Sequence, residues 1–585
     1  MKTSWNLGLL YKNHNDPQIE KDVRVTERVF SNFEKIYKGK TDYLKNETKL
    51  LKALQDFESM LSGLSLYKPL KYFWYVQCLN SKDEVARAKV TQLTERFTKN
   101  DQKITFFELS LAKIPKEAQV KLLASKKLTH FHYFLKTIFA RSKHNLSEAE
   151  EKIMGLKSIP AYNLWTESTE KVLNKATVEF KGKTMPLSEA EFKIADLPLP
   201  ERYELHDKVM AVLGTHIDTA ESEINAVFTN KKIDDGLRGY VEAYDATVLG
   251  YQNDKKSVKA LVSAVTNANK ISHRFYKLKA KLLGLEKLRY PDRAVGIAKE
   301  APKATFEEGV TMLRDVFGGL DSRYLAILNS FLEKGQIDVY PKVGKRGGAF
   351  CSDNQNGPTF VLLNHTDTME QVSTFAHEMG HAIHTEMSKS QSMLYQGYST
   401  STAEVASTLF EAFVFDALLE KMSEEQKIAA LSSKINDDVQ TIFRQIACFN
   451  FELDLHTVIR EKGGVPGTEI AALLVKNMSA YLGPVVEMRP EDGFQFVGWS
   501  HIRNFFYVYS YAFGQLISKA LYVKYKEDKK FIIKINQFLK AGGSDTPENI
   551  FKSIGIDVTK PDFWKKGLQS IEKDIDMLEK LTKNR

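Results

Sequence analysis

Apolar residues recur at three- and four-residue spacing along most of the chain, with few β-branched runs and few prolines. That is the period of an amphipathic helix, so the chain reads as mainly α-helical. Residues 20–155 predict consecutive helices, with a turn near Lys38-Gly39-Lys40. Alternation around Gly182, from Thr177 to Pro186, predicts a short hairpin. Leu197-Pro-Leu-Pro200 then breaks the pattern. We place the boundary between an N-terminal helical domain (1–190) and a larger C-terminal domain (191–585) just before it. Ile337-Asp-Val-Tyr340, a glycine-rich stretch to Ala349-Phe-Cys351, and Thr359-Phe-Val-Leu-Leu363 predict a small sheet. After it, Met369, Val372, Phe375, Ala376, Met379 and Ile383 mark the buried face of a helix, with Asp367 and Glu370 as its capping box. A further apolar helix is predicted from Thr402 to Leu419, after a turn at Tyr395-Gln-Gly-Tyr398. The chain has no internal repeat and no low-complexity segment.

The first of these two helices carries His377-Glu378-Met379-Gly380-His381. Each helical residue advances about 100°, so histidines four apart share a face. Imidazole is a good zinc ligand, and two on one face occupy two corners of a tetrahedron. Glu378, beside the first histidine, can reach a water on the same metal and act as general base. The chemistry implied is metal-assisted hydrolysis of a peptide or similar bond. A catalytic zinc usually has three protein ligands and a water, so a third ligand is needed. Glu404 on the next helix completes a set of two histidines and one glutamate; its rival reading is the far end of a capping box from Ser401. Glu386 competes as ligand but sits about 140° off the ligand face. Glu411 shares the face of Glu404 and can hold a ligand histidine by its other ring nitrogen. His384 is near the ligand face and reads equally as site-lining or structural. Two imidazoles and a carboxylate would also bind cobalt or manganese.

Phe375-Ala-His-Glu-Met-Gly-His-Ala-Ile-His384, followed by Ala403-Glu-Val-Ala-Ser-Thr-Leu-Phe-Glu411, resembles the oligoendopeptidase F branch of the thimet-oligopeptidase family of zinc metallopeptidases. Lys345-Arg-Gly-Gly-Ala-Phe-Cys351 is similar to the stretch upstream of the zinc helix in that branch. Trp499-Ser-His-Ile502 and Phe506-Tyr-Val-Tyr-Ser-Tyr-Ala-Phe-Gly514 resemble its C-terminal His and Tyr region, and Trp5-Asn-Leu-Gly-Leu-Leu-Tyr11 its start. The resemblance implies one Zn²⁺ held by His377, His381 and Glu404, with Glu378 as base. It implies that His501 and a following tyrosine touch the scissile carbonyl: Tyr507, Tyr509 or Tyr511. Residues two apart on a helix do not share a face, so at least one of the three packs in a core. The resemblance also implies a helical shell around a deep channel that admits short unfolded peptides. Gly347 and Gly348 read either as a turn or as a place where a substrate backbone approaches closely. The resemblance favours substrate contact along Gly347, Gly348, Ala349 and Phe350, where an edge strand can pair with an extended peptide.

Composition narrows the alternatives. The 585 residues are 43% hydrophobic and 27% charged, as in soluble globular proteins. No apolar run reaches membrane-spanning length, and the first residues lack the apolar core of a signal peptide. The three cysteines, Cys78, Cys351 and Cys448, are odd in number and far apart, which predicts a reducing cytoplasm. Net charge is only +9, and the basic stretch Lys277–Arg293 has leucines at helical spacing, so it reads as an amphipathic helix rather than a nucleic-acid surface. Two other readings remain. A carboxypeptidase using the same zinc site would need a cation for the terminal carboxylate, and Arg346 and Arg503 lie near relevant motifs. A zinc-stabilised peptide-binding protein would need no base, which the intact Glu378 disfavours.

Overall fold

The computed structural model describes residues 1–62, 67–297, 303–352 and 356–583. It is mainly helical, and it divides into two compact units that are each discontinuous in sequence. The first comprises Met1–Lys143, Pro302–Glu420 and Lys524–Gly555; the second comprises His144–Ala301, Lys421–Val523 and Ile556–Arg585. Residue 190 therefore falls inside the second unit, within helix Leu187–Lys193. Contact between separated stretches, which pattern along the chain does not register, draws these units differently from the sequence boundary. The described strands are β1 (Thr177–Phe180), β2 (Lys183–Pro186), β3 (Leu288–Arg289), β4 (Ile337–Asp338), β5 (Phe350–Ser352), β6 (Phe360–Leu362) and β7 (Val486–Glu487).

In the first unit, helix Pro17–Tyr37 starts with Asp16 accepting the Gln18 N–H and Pro17 at its first position. It ends where the turn is predicted, with Gly39 at φ +76°. Helices Pro17–Tyr37, Glu47–Ser62, Glu84–Ala112 and His132–Ser142 bury Phe30, Phe57, Phe107 and Leu135 in one apolar cluster. A second cluster joins the N-terminal segment to the sheet. Trp5, Tyr75, Phe360 and Leu362 are buried together, and Trp5 Nε1 donates to the Val361 carbonyl at 2.7 Å. The sheet has the order β4-β6-β5, with β4 parallel and β5 antiparallel to β6. All three predicted strands are present, and β5 lies at an edge.

In the second unit, β1 and β2 form the predicted hairpin. Lys181 and Gly182 both have positive φ, 50° and 73°, the backbone that a two-residue hairpin turn requires. β3 pairs in parallel with β7. The stretch Lys277–Arg293 corrects the sequence reading. The helix is Asn269–Leu282, and the remainder forms β3 and a 3₁₀ turn at Tyr290–Ala294. Lys279 is buried rather than solvated; its ammonium donates to the Arg293 carbonyl at 2.6 Å and to Asn436 at 3.0 Å. Burial, together with the charge of Arg293, brings its pKa down to about 7. Among the described residues no helix is long and apolar enough to cross a membrane.

Candidate active site

The helix carrying the motif spans Met369–Ser388. Its cap is Thr368, whose hydroxyl accepts the Gln371 N–H at 3.3 Å. Asp367, expected as the cap, instead sits in the left-handed region at φ +54°, whereas Thr368 has the extended backbone that a cap needs. Val372, Phe375, Ala376, Met379 and Ile383 are fully buried, as their spacing predicts. That burial turns His377 and His381 onto the opposite side, toward the helix Thr400–Lys421.

Gly380 sets the approach of the two helices. A Cβ there would lie 2.7 Å from Ser407 Cα and 2.9 Å from the Ala406 carbonyl oxygen, closer than carbon atoms pack. The backbones cross at this point, one residue before His381 and three after Glu404. The sequence signal for this crossing is Gly380 itself, since a glycine inside a buried helix is a readable sign of close approach. Gly380→Ala is expected to lower metal affinity at least about tenfold and to destabilise the unit by about 1–3 kcal/mol, as overpacking does. The gain in helix propensity, about 1 kcal/mol, offsets only part of that. Metal titration and thermal melts of the variant check this.

Beside the crossing, one donor atom each from His377, His381 and Glu404 lies within 4.8 Å of the others. Glu404 Oε2 is 3.3 Å from His377 Nε2 and 3.6 Å from His381 Nε2. The Ser407 hydroxyl donates to the same oxygen at 2.9 Å. Ser401, the rival cap partner, instead pairs with the Ser399 hydroxyl. On the far side of His377, Nδ1 meets Glu411 Oε2 at 3.2 Å, and Ser373 donates to the other oxygen of Glu411. Glu386 is engaged elsewhere, accepting from Thr359 at 2.7 Å and Lys389 at 2.6 Å.

The electrostatics suit a cation. Burial alone would lower the His377 pKa, but Glu404 and Glu411 outweigh it and raise it to about 10. Burial lowers His381 to about 4, so its lone pair is free at neutral pH. Burial also works against ionised Glu404, yet the two imidazoles hold it at about 2. The protein thus presents an ionised carboxylate and a neutral imidazole, with a second imidazole whose Nδ1–H is held by Glu411 and whose Nε2 faces the cluster. This donor set fits a divalent transition metal.

Glu378 faces the sheet. It is only 6% exposed, and burial raises its pKa to about 7. The backbone N–H of Cys351 donates to its carboxylate. This follows from the ladder: Val361, the register partner of Cys351, turns its N–H away to the Gln336 carbonyl, so the two form a non-hydrogen-bonded pair and Cys351 directs its backbone groups away from β6. His384 stays apart from the donor cluster. It is fully buried, stacks on Tyr398 at 3.8 Å, and among the described residues neither nitrogen has a hydrogen-bond partner. Gly347 and Gly348 have open space where a side chain would stand. Asn364 braces this turn by donating to the carbonyls of Arg346 and Gly348. Ala349 leads into β5, and Phe350 packs on Trp74 with ring centroids 5.4 Å apart.

The C-terminal His and Tyr region belongs to the second unit. His501 lies in a 3₁₀ turn, Ser500–Asn504, ahead of the helix Tyr509–Glu527. Its ring is 5.4 Å from Tyr507 and 6.2 Å from Tyr511. The Tyr511 hydroxyl lies 3.2 Å from that of Tyr507. Tyr509 points elsewhere: it is fully buried, and its hydroxyl donates to Asn253. It is the tyrosine that packs in a core. Phe505 and Phe506, just before Tyr507, have φ of 40° and 64°. Such backbone costs on the order of 1–2 kcal/mol per residue and persists only when held. The buried Glu452 accepts the Phe506 N–H at 2.6 Å, and Thr247 donates to the Phe505 carbonyl at 2.7 Å. Glu452 was not foreseen, though it sits on the apolar stripe of its helix with Cys448, Phe449, Leu455 and Ile459. Arg503 is not available for a carboxylate, contrary to the carboxypeptidase reading. It is buried in a two-pronged ion pair with Glu223 and donates to the carbonyls of Phe496, Val497 and Trp499.

Two histidines and a glutamate from successive helices, with a glutamate beside the first histidine, define a class of helical metallopeptidases. The chain belongs to peptidase family M3, whose profile matches residues 217–570, more than half its length. The oligopeptidase F profile matches residues 111–177, and the chain is a metalloendopeptidase of the oligoendopeptidase F branch. It is 27% identical to oligopeptidase PepF of Bacillus subtilis (strain 168), over 79% of this chain and 70% of that protein. It is 24% identical to an oligoendopeptidase F homolog of Lactococcus lactis subsp. lactis (strain IL1403), over 99% of this chain and 97% of the relative. The fold matches the crystal structure of oligoendopeptidase-F from Enterococcus faecium at a TM-score of 0.70, with 19% identity, covering 97% of this chain and 98% of that one. A candidate peptidase from Chlamydophila abortus superposes at 0.86, with 22% identity, covering 99% and 98%.

Proposed function

We propose that the chain is a zinc-dependent oligoendopeptidase that cleaves internal bonds of short unfolded peptides, with Glu378 as general base. The observation that carries this is the convergence of His377, His381 and Glu404, with a buried carboxylate next to the first histidine. Zinc, when bound, supplies a Lewis acid that polarises the scissile carbonyl and acidifies water. His377, His381 and Glu404 would hold it, and Glu411 accepts a hydrogen bond from the Nδ1–H of His377, which fixes that ring with Nε2 toward the cluster. Glu378 accepts the proton of the attacking water and passes it to the leaving amine. Cys351 N–H orients the Glu378 carboxylate, and the open glycines ahead of β5 leave room for a substrate backbone. From the family resemblance we assign His501, with Tyr507 or Tyr511, to the developing oxyanion; their clustering supports this and the burial of Tyr509 argues against that residue. His384 is a packing residue in this reading. Three cysteines that form no disulfide among the described residues fit a cytoplasmic location.

An internally quenched peptide of about ten residues, blocked at both ends, tests the reading. Internal cleavage is expected to vanish with a chelator and to return with zinc. Trimming of free-ended peptides alone would move the enzyme to the carboxypeptidase class, and restoration only by cobalt or manganese would replace the metal.

A further inference from the structure

Several buried or half-buried arginines of the second unit have an acidic partner. Arg202 pairs with Asp292, Arg460 with Asp235 and Arg503 with Glu223. Arg444 and Arg293 differ: among the described residues, no carboxylate pairs with either. Arg444 ends a π-helical turn, Val439–Arg444, a distortion that frequently marks functional sites. Its guanidinium lies 4.4 Å over the ring of Trp499, and the same indole is 6.0 Å from the His501 ring. Arg293 stacks 3.9 Å over Tyr290 and donates to that residue's carbonyl at 3.2 Å. The Tyr290 hydroxyl, which donates to Gln495 at 2.7 Å, faces Arg444. The two cations therefore flank one tyrosine.

Both Nε atoms are buried without a hydrogen-bond partner, while each side chain keeps partial exposure. Guanidinium does not shed its proton, so a buried pair cannot escape its desolvation penalty by becoming neutral. The buried Asp292, on the turn next to Arg293, is already taken by Arg202 and Tyr203. Lys279, which donates to the Arg293 carbonyl, is depressed toward neutrality by burial and by that arginine's charge. The region carries uncompensated positive charge beside the ring that supports His501.

We propose that Arg444, backed by Arg293, forms a subsite that binds a carboxylate of the peptide substrate. A planar fork matches a carboxylate with two parallel hydrogen bonds, and every unblocked peptide carries one at its C-terminus. An aspartate or glutamate side chain carries the same group. The proposal rests on the oligopeptidase reading above, because it places the subsite next to His501.

The test uses four forms of one quenched peptide: free acid or amide at the C-terminus, each with aspartate or asparagine at one internal position. The wild type is expected to favour the carboxylate-bearing form at least about tenfold in kcat/KM. The pair that shows the preference identifies the source as terminus or side chain. In Arg444→Gln the preference is expected to collapse to within about twofold, and in Arg293→Gln to weaken. Arg444→Lys, which keeps the charge but not the fork, stands in if the glutamine variant does not fold by circular dichroism. Calorimetric binding of the same peptides in chelator separates the two readings. Without any cleavage, a carboxylate preference in binding that Arg444→Gln removes would support the subsite while the hydrolytic reading fails. Equal cleavage and binding of all four peptides by the wild type, or a preference that survives in the Arg444 variants, overturns the subsite and leaves the peptidase reading untouched.

Discussion

Glu378→Gln is expected to bind metal like the wild type and to lose at least about three orders of magnitude in kcat on a short peptide. The substitution preserves shape, and the glutamine carbonyl can still accept the Cys351 N–H that orients the native side chain. It leaves His377, His381 and Glu404 untouched. What it removes is a group able to accept a proton from water. Elemental analysis and steady-state kinetics on one preparation check both halves of the expectation. A variant with full metal and a rate within about tenfold of wild type would place the base elsewhere.

The second large effect is expected from Glu404→Ala. The carboxylate lies within 3.6 Å of both imidazoles and is held by Ser407, so among the described residues it is the acid that closes the cluster. Loss of a residue that merely orients a ligand typically costs about 10–100-fold in metal affinity. Removing a ligand should exceed that range, while Glu411→Ala should fall within it, since Glu411 contacts only the far nitrogen of His377. Metal titration of both variants provides the comparison. Stoichiometric, tight metal in Glu404→Ala would return the third ligand to Glu386 or Glu411. Glu386 starts at a disadvantage, since Lys389 and Thr359 already hold its carboxylate.

Local pattern made much of the site legible. The apolar spacing from Met369 to Ile383 determined which face of the motif helix is buried, and hence that His377 and His381 point together. Alternation around Gly182 located the hairpin, and three short extended runs located the sheet beside Glu378. Where the local reading failed, a neighbouring residue fitted the geometry better. Asp367 gave way to Thr368 because a cap needs extended backbone, and Lys279 is buried because its helix packs on that face.

The sequence by itself determined a mainly helical metallopeptidase, with a candidate metal helix, a candidate base and a short list for each remaining role. These features repeat within windows of about ten residues, where periodicity and turn chemistry act. Only the tertiary structure decided between members of each list. Glu404 prevails over Glu386 because the helices cross at Gly380, backbone against backbone. Tyr509 leaves the group of candidate tyrosines because Asn253 claims its hydroxyl, 256 residues away. Arg503 is spent on Glu223, 280 residues distant, while among the described residues Arg444 pairs with no acid. Charge pairing and ligand convergence depend on which distant side chains meet. Such meetings are set by packing across the whole unit, and no local window contains them.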